Sequence, residues 1–333
     1  MRRTFEVADF TLQGGETLPA ARLVYRTLGT LSPGRDNVVL IPSWYSGTDR
    51  EAELCMVGPD RAIDPARHFI VFTNLLAGGL SSSPSNTAPP FEAARFPRVT
   101  LHDNVRLQRL LLTERLGIEH VKLVAGWSMG GCQAYQWGAQ YPDMVDAIAP
   151  LCGSARTGHF NKIFLLSLRR ALELDPAFAD GYYTRPPIRG LRAFATIYAG
   201  WGFSEPFYRT EAFRQFGATT SAEFAARFWE PAFVHHDAND LLALLRTWEE
   251  GDISACPEYG GDLDRALGAI TARAIVMPGE HDSYFPPVDN QAEAVRMKRA
   301  ECRPIPSIWG HMTLWNPEDR PFIDAALREL LQP

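Results

Sequence analysis

Short apolar segments alternate with segments of helical periodicity along most of the chain. The apolar segments are β-branched or aliphatic and end in Gly, Pro, Ser or Asn, as buried strands do. They lie at residues 37–44, 68–75, 121–126, 145–151, 274–278 and 303–309. Helical spacing marks residues 103–116, 130–140 and 321–331, and residues 5–28 indicate an antiparallel pair that turns at Gly14-Gly15. This alternation predicts an α/β fold in which helices flank a mostly parallel sheet.

The alternation stops between residues 154 and 262. This stretch has helical patterns at 162–174, 189–198, 221–229 and 240–249, several prolines and no clear strand. We therefore predict a helical lid at residues 154–262, inserted into a core formed by residues 1–153 and 263–333.

Composition excludes several classes of protein. The 333 residues include 33 Lys and Arg against 39 Asp and Glu, which gives a net charge of −6. A general nucleic-acid binder would normally be basic, so we expect no nucleic-acid partner. No run approaches the roughly 18 apolar residues of a membrane span, and the N-terminus lacks the apolar region of a secretion signal.

The cysteines point to a reducing compartment. Five cysteines are scattered along the chain without a Cys-x-x-Cys pair, which is typical of reduced thiols. Together with the absence of a membrane span and a secretion signal, this predicts a cytoplasmic protein.

The most informative motif is Gly126-Trp-Ser128-Met-Gly130. A buried strand leads into it and a helix begins directly after it, which is the context that the Gly-x-Ser-x-Gly motif requires. The turn holds its central residue in a strained conformation, and the glycines leave out Cβ atoms that would collide with strand and helix. We predict that Ser128 is a nucleophile.

A serine nucleophile needs a base, and the base needs a carboxylate that orients it. In this topology the acid and the histidine follow the serine along the chain, each near the end of a strand. Asp282 follows the strand at 274–278, with Glu280 as a rival acid. His311 follows the segment 303–309. We predict the catalytic triad Ser128–Asp282–His311.

Two backbone N–H groups should stabilise the oxyanion of an acyl-transfer reaction. We assign them to Met129, directly after the nucleophile, and to Tyr45 in the loop after the first buried strand, with Trp44 as the alternative by one residue of register. His235-His236-Asp237 lacks the helical spacing of metal ligands, and we find no glycine-rich phosphate loop. We therefore expect no metal and no permanently bound cofactor.

These motifs resemble the α/β-hydrolase superfamily, and within it the homoserine O-acetyltransferase branch. The similarity extends over most of the chain, through Asn74 with Gly78-Gly79, Phe96-Pro-x-Val-Thr100, Asp103 with Gln108, Gln133 and Trp137, Asp237-Ala-Asn239, Asp282-x-x-Phe285-Pro-Pro287, and Gly310-His311. Members of this branch transfer an acetyl group from acetyl-CoA to the serine and then to the homoserine hydroxyl. The resemblance implies acyl-CoA as a possible co-substrate.

Two departures from this family concern the acceptor. The family usually carries Asp after the catalytic His, where this chain has Met312, and its lid arginine aligns with Ala195, with Arg192 nearby but out of register. A site for a zwitterionic amino acid without charge partners would leave buried charges unpaired. We therefore expect an ester or thioester hydrolase, or a transferase with another acceptor. The alternative is a true homoserine O-acetyltransferase that uses Arg192.

An apolar pocket at the lid would suit a small ester or thioester. As substrate-binding residues we predict Trp44, Trp127, Arg192, Trp201, Tyr208 and Met312. The lid also offers a surface for a homodimer. A third hypothesis, a catalytically silent scaffold that dimerises through its lid, requires the loss of a triad member, and none is lost.

Overall fold

The computed structural model describes residues 1–332, so Pro333, the last residue of the predicted core, lies outside the described residues. A sheet of eight strands in the order β1-β2-β4-β3-β5-β6-β7-β8 runs through the molecule. The strands are β1 (Arg3–Thr11), β2 (Thr17–Leu28), β3 (Val38–Pro42), β4 (Phe69–Thr73), β5 (Leu123–Trp127), β6 (Ala147–Leu151), β7 (Arg273–Val276) and β8 (Ala300–Cys302).

Strands β1 and β2 form the antiparallel entry that residues 5–28 predict, and β2 is antiparallel to β4. The remaining pairs, from β4 to β8, are parallel. Strands β3, β5 and β6 are buried along their whole length. This explains their continuous apolar sequences, because helices cover both faces of such a sheet. The predicted fold class is therefore confirmed.

The helices lie mostly where the periodicity predicts them. Around the sheet they are α1 (Asp49–Met56), α2 (Leu101–Leu110), α3 (Met129–Gln140), α10 (Leu263–Ala269), α11 (Pro287–Ala294) and α12 (Arg320–Leu331). Between β6 and β7 lie α4 (His159–Glu173), α5 (Ile188–Gly202), α6 (Glu205–Arg209), α7 (Ser221–Phe224), α8 (Glu230–Phe233) and α9 (Ala238–Glu249).

The chain between β6 and β7 adds helices and no strand to the sheet, as far as residues 1–332 are concerned. Helix α4 packs against both α5 and α9, and α5 packs against α8, so these helices share a core of their own. We call residues 154–262 the lid; its two boundaries remain a prediction from the sequence.

One predicted strand is wrong. Residues 303–309 are not a strand, and β8 ends before them at Cys302. Pro304 and Pro306 have no N–H group and cannot donate to a ladder. Within this segment only two backbone N–H groups donate to β7 and its extension. Arg303 N donates to Val276 O, and Ile305 N donates to Pro278 O, each with a distance of 2.8 Å. The chain therefore stays extended beside β7 before it turns at Gly310.

No helix among residues 1–332 has the length and the apolar character needed to cross a membrane. All five cysteines are free thiols.

Candidate active site

Ser128 lies between β5 and α3 in a sharp turn. Its φ and ψ are 58° and −126°, a conformation that non-glycine residues rarely adopt. The flanking glycines make the turn possible: a Cβ atom on Gly126 would lie 2.2 Å from the backbone of Gly130, and one on Gly130 would lie 2.7 Å from the carbonyl oxygen of Pro42. The turn therefore holds Ser128 at the carboxyl end of the sheet, at the N-terminus of α3.

His311 and Asp282 meet Ser128 at this edge. The Nε2 atom of His311 lies 2.9 Å from Ser128 Oγ, and its Nδ1 atom lies 2.8 Å from Asp282 Oδ2. Because an ionised carboxylate only accepts hydrogen bonds, Nδ1 carries the ring proton and Nε2 is free to accept one from the serine. The other carboxylate oxygen, Oδ1, accepts from the backbone N–H groups of Tyr284 at 2.7 Å and Phe285 at 3.1 Å. All three side chains are buried.

Glu280 does not approach this group. Its side chain is exposed, while its backbone N–H donates to Ile305 O over 2.9 Å. The strand β7 ends at Val276, and the chain needs the turn at Gly279 to bring an acidic side chain back over the sheet. Asp282 closes this turn, because its backbone N–H donates to Gly279 O at 3.0 Å.

The thiol of Cys152 lies close to the carboxylate of Asp282. Donor atoms of Cys152, Asp282 and His311 lie within 4.8 Å of one another, as metal ligands would. Burial raises the pKa of the Cys152 thiol well above its ordinary value, so it stays protonated. Since metals bind the thiolate, and since Asp282 and His311 already bond each other, this arrangement fits a packed core better than a metal centre.

The backbone N–H groups of Met129, directly after Ser128, and of Tyr45, in the loop after β3, have no protein acceptor among the described residues. The Nε2 atom of Gln133 joins the two segments that carry them, donating to Ser43 O at 2.8 Å and to Met129 O at 3.2 Å. This bond fixes the loop after β3 against the start of α3, the arrangement that an oxyanion hole requires.

A cavity of about 480 Å³ opens above Ser128. Its wall consists mainly of aromatic side chains from the loop after β3, from the lid and from the segment that carries His311. The residues that line it are Trp44, Tyr45, Ser46, Gly47, Glu51, Trp127, Ser128, Tyr198, Phe228, Trp229, Pro231, Ala232, Phe233, His235, His236, Trp248, Tyr284, His311, Met312 and Trp315.

The cavity wall offers neither a guanidinium nor an ammonium group to a bound anion. Among the lining residues that the structure describes there is no arginine and no lysine. Burial lowers the pKa of His236 to about 4, so this imidazole is neutral near pH 7. Glu51 is the only carboxylate in the wall, and it caps α1 by accepting from Thr48 N at 2.9 Å. A neutral ligand therefore suits this cavity better than an anionic one.

Three of the six predicted substrate-binding residues, Trp44, Trp127 and Met312, lie in the cavity wall. The other three do not, which corrects the prediction. Arg192 is 61% exposed on the outer face of α5, where its Nε atom lies 3.1 Å from Glu230. Ala195, the position that aligns with the family's lid arginine, is buried on the same helix.

Trp201 and Tyr208 are part of the lid's own packing. The ring of Trp201 lies 4.8 Å from Phe160 and 5.0 Å from Phe164 of α4. The Tyr208 hydroxyl donates to Ala199 O within the lid. Both side chains contact other residues of the lid, and neither lines the cavity.

Sequence reasoning missed most of the aromatic wall. Tyr198 comes from α5, Trp229 and Phe233 from the segment around α8, Trp248 from α9, and Tyr284 from the turn after Asp282. The only signal for them is the concentration of aromatic residues in the lid, which does not tell which ring faces the cavity.

The chain belongs to the family with the alpha/beta hydrolase fold, whose model matches residues 36–315. It is similar to an ethyl acetate hydrolase of Pseudomonas veronii, with 36% identity over 98% of this chain and 94% of that protein. It is also 31% identical to a homoserine O-acetyltransferase of Trichormus variabilis, over 91% of this chain and 86% of that protein.

Among solved structures, the acetyl esterase MekB superimposes with a TM-score of 0.97 and 36% identity, over 99% of this chain and 96% of that one. The resemblance to α/β hydrolases, and to homoserine O-acetyltransferases among them, is therefore confirmed.

Proposed function

We propose that the protein is a serine esterase that hydrolyses small uncharged esters, acetate esters above all, with Ser128, His311 and Asp282 as its catalytic triad. The observation that carries this proposal is the cavity above Ser128, which is aromatic and contains no arginine or lysine among its described lining residues. The similarity to an ethyl acetate hydrolase and to an acetyl esterase supports the acetyl group as the acyl part.

In the first half of the reaction, Ser128 Oγ attacks the ester carbonyl while His311 Nε2 accepts its proton. Asp282 stabilises the imidazolium that forms and keeps the ring in its orientation. The carbonyl oxygen becomes an oxyanion, which accepts hydrogen bonds from the N–H groups of Met129 and Tyr45. The tetrahedral intermediate collapses, His311 protonates the leaving alcohol, and acetyl-Ser128 remains.

In the second half, water takes the place of the alcohol. His311 Nε2 removes a proton from the water, whose oxygen attacks the acetyl carbonyl, and the same two N–H groups receive the second oxyanion. Collapse releases acetate and returns the proton to Ser128. Each proton is thus taken and given back by the His311 side chain, and water is the second reactant beside the ester.

Homoserine O-acetyltransferase is the second candidate, because a relative of that name matches 91% of the chain. Acyl-CoA would then be the co-substrate. The cavity argues against this acceptor, since the carboxylate of homoserine would face Met312 and aromatic rings and Arg192 points into solvent. An unpaired buried charge costs several kcal/mol.

The experiment measures two activities of one preparation: acetate release from ethyl acetate, and homoserine-dependent release of CoA from acetyl-CoA. We expect hydrolysis that Ser128→Ala abolishes, and no saturable dependence on homoserine. Saturable CoA release at millimolar homoserine, lost in the same variant, would replace the esterase by the transferase.

For assembly and compartment, two surface features support the remaining proposals. Helix α4 exposes Phe160 and Ile163 by 60% and 61%, with Leu166 further along the same face. Such a stripe of large apolar side chains favours a homodimer through the lid. The five free thiols favour a reducing compartment such as the cytoplasm.

A further inference from the structure

Trp127 connects the nucleophile to the base. It is the last residue of β5, directly before Ser128, and its side chain is buried. The indole Nε1–H donates to the backbone carbonyl of His311 over 3.1 Å. The indole ring also stacks on the imidazole, with centroids 4.6 Å apart and planes inclined by 29°. One side chain therefore contacts both the backbone and the ring of His311.

The segment around His311 needs such a support. It lies in a 3₁₀ turn at Gly310–Trp315 rather than at the end of a strand, because β8 already ends at Cys302. Gly310 has a φ of 63°, so the chain reverses directly before the histidine. The sheet therefore fixes the position of Ser128 directly, but it does not fix the position of His311 directly.

Three aromatic rings lie against the imidazole, among them Phe285 with centroids 5.7 Å apart. Trp127 covers one side, and Tyr284 approaches edge-on with centroids 4.5 Å apart. Trp44 supports the indole from behind in a T-shaped contact at 5.0 Å. Rotation of the imidazole away from Ser128 would have to displace at least one of these side chains.

We propose that Trp127 is a positioning residue, which holds His311 so that Nε2 stays within hydrogen-bond distance of Ser128 through both halves of the reaction. This rests on the proposed esterase function. The indole does not exchange protons with the substrate. It acts through the N–H bond to the backbone of His311 and through the stacked ring.

Two substitutions separate these contacts. Trp127→Phe keeps an aromatic ring and removes the N–H donor, whereas Trp127→Leu removes both. Since a misplacement of about 1 Å can cost about 100-fold in rate, we expect Trp127→Leu to lower kcat for ethyl acetate by about 30- to 100-fold. KM should change less than about threefold, because acetate esters are small and the rest of the wall remains. Trp127→Phe should restore part of kcat, and the restored share measures the ring contact.

The matched control is Trp201→Phe, the same substitution at a half-buried lid position outside the cavity. We expect its kcat and KM to equal those of the wild type. Thermal unfolding of each variant reports whether the fold is intact. A second readout is the rate at which a fluorophosphonate labels Ser128, which depends on the Ser128–His311 pair and should fall in parallel with kcat.

A rise in KM at constant kcat would make Trp127 a substrate-binding residue and overturn the proposal, as would a kcat of Trp127→Leu within about twofold of the wild type. If Trp127→Leu does not fold, Trp127→Phe tests the N–H bond alone: a lower kcat at constant KM supports positioning through this bond, and an unchanged kcat overturns the role of the bond. A wild-type protein without esterase activity would instead contradict the proposed function itself, so the two failures are distinguishable.

Discussion

The Oδ2 atom of Asp282 lies 2.8 Å from the Nδ1 atom of His311, whereas the side chain of Glu280, two residues earlier, is exposed to solvent. The sequence leaves both residues open as the acid of the triad, and only Asp282 contacts the imidazole.

We expect Asp282→Asn to lower kcat for ethyl acetate by about 10³- to 10⁴-fold with the fold intact, because an amide favours the wrong imidazole tautomer. Glu280→Gln serves as the matched control and should leave kcat and KM unchanged. The measurement is steady-state hydrolysis together with thermal unfolding of both variants. A silent Asp282→Asn beside an impaired Glu280→Gln would reverse the assignment of the acid.

The oxyanion loop depends on the lid for its position. The Tyr45 hydroxyl donates to Leu241 O of α9 over 3.0 Å, and its ring stacks against Tyr198 of α5 at 6.0 Å. We expect Tyr45→Phe to lower the free energy of unfolding by about 1 kcal/mol, the typical net value of one hydrogen bond. It should also lower kcat severalfold with little change in KM, since the backbone N–H of this residue is the proposed oxyanion donor. Steady-state kinetics and urea unfolding measure both effects.

A matched control for that experiment is Tyr182→Phe, which removes a hydroxyl from a tyrosine that is more than half exposed in the lid. Its stability and kinetics should match those of the wild type. If Tyr45→Phe also left kcat unchanged, the lid would not contribute to the geometry of the oxyanion hole.

A substitution of Arg192 tests the alternative hypothesis that this arginine binds the carboxylate of homoserine. Because its side chain is 61% exposed and paired with Glu230, we expect Arg192→Ala to leave the kcat and KM of ester hydrolysis unchanged. Its effect on stability should stay within about 1 kcal/mol, as for other surface ion pairs. A KM for homoserine that rises in this variant would show instead that the arginine turns inwards to bind a carboxylate.

The buried side chain of Glu293 should make the free energy of unfolding depend on pH. Its carboxylate accepts from Ala155 N and from Asn290 Nδ2, both at 2.9 Å. Burial nevertheless raises the pKa of Glu293 from 4.5 to about 7. Between these two values the folded protein holds a proton that the unfolded chain has already released. The stability that this group contributes is therefore complete at low pH and is lost as the pH rises to about 7.

In Glu293→Gln the carboxyl group is replaced by an amide, which does not titrate. We expect its stability relative to the wild type to increase as the pH rises from about 5 to about 7, by on the order of 1 kcal/mol per pH unit. Chemical unfolding at several pH values measures this difference. Glu119→Gln, at an exposed position, is the control and should show no such trend. A constant difference between Glu293→Gln and the wild type would mean that Glu293 is ionised throughout.

Much of the fold follows from local sequence. The buried strands β3 to β6 were predicted within a few residues, because a strand covered on both faces is a continuous apolar run. The segment 303–309 failed for the same reason. Its isoleucine and tryptophan look like a buried strand, but beyond Cys302 only Arg303 and Ile305 donate to β7 and its extension, and the strand lies at Ala300–Cys302 instead.

The order of Ser128, Asp282 and His311 could also be predicted, because in this topology the acid and the histidine follow the serine along the chain. Which acid faces the histidine could not. The turn after β7 decides that, and its path depends on the contact of Gly279 with Gly310, where a Cβ atom would lie 2.2 Å from the carbonyl oxygen.

The sequence by itself determined the sheet apart from β8, the strained serine turn and the presence of a helical lid, since each is encoded in the periodicity and glycine spacing of neighbouring residues. Only the tertiary structure decided which lid side chains form the cavity. Arg192 and Ala195 lie about one turn apart on α5, yet one is exposed and the other buried. The reason is that helical periodicity specifies faces, whereas the direction each face takes depends on the neighbours against which the helix packs.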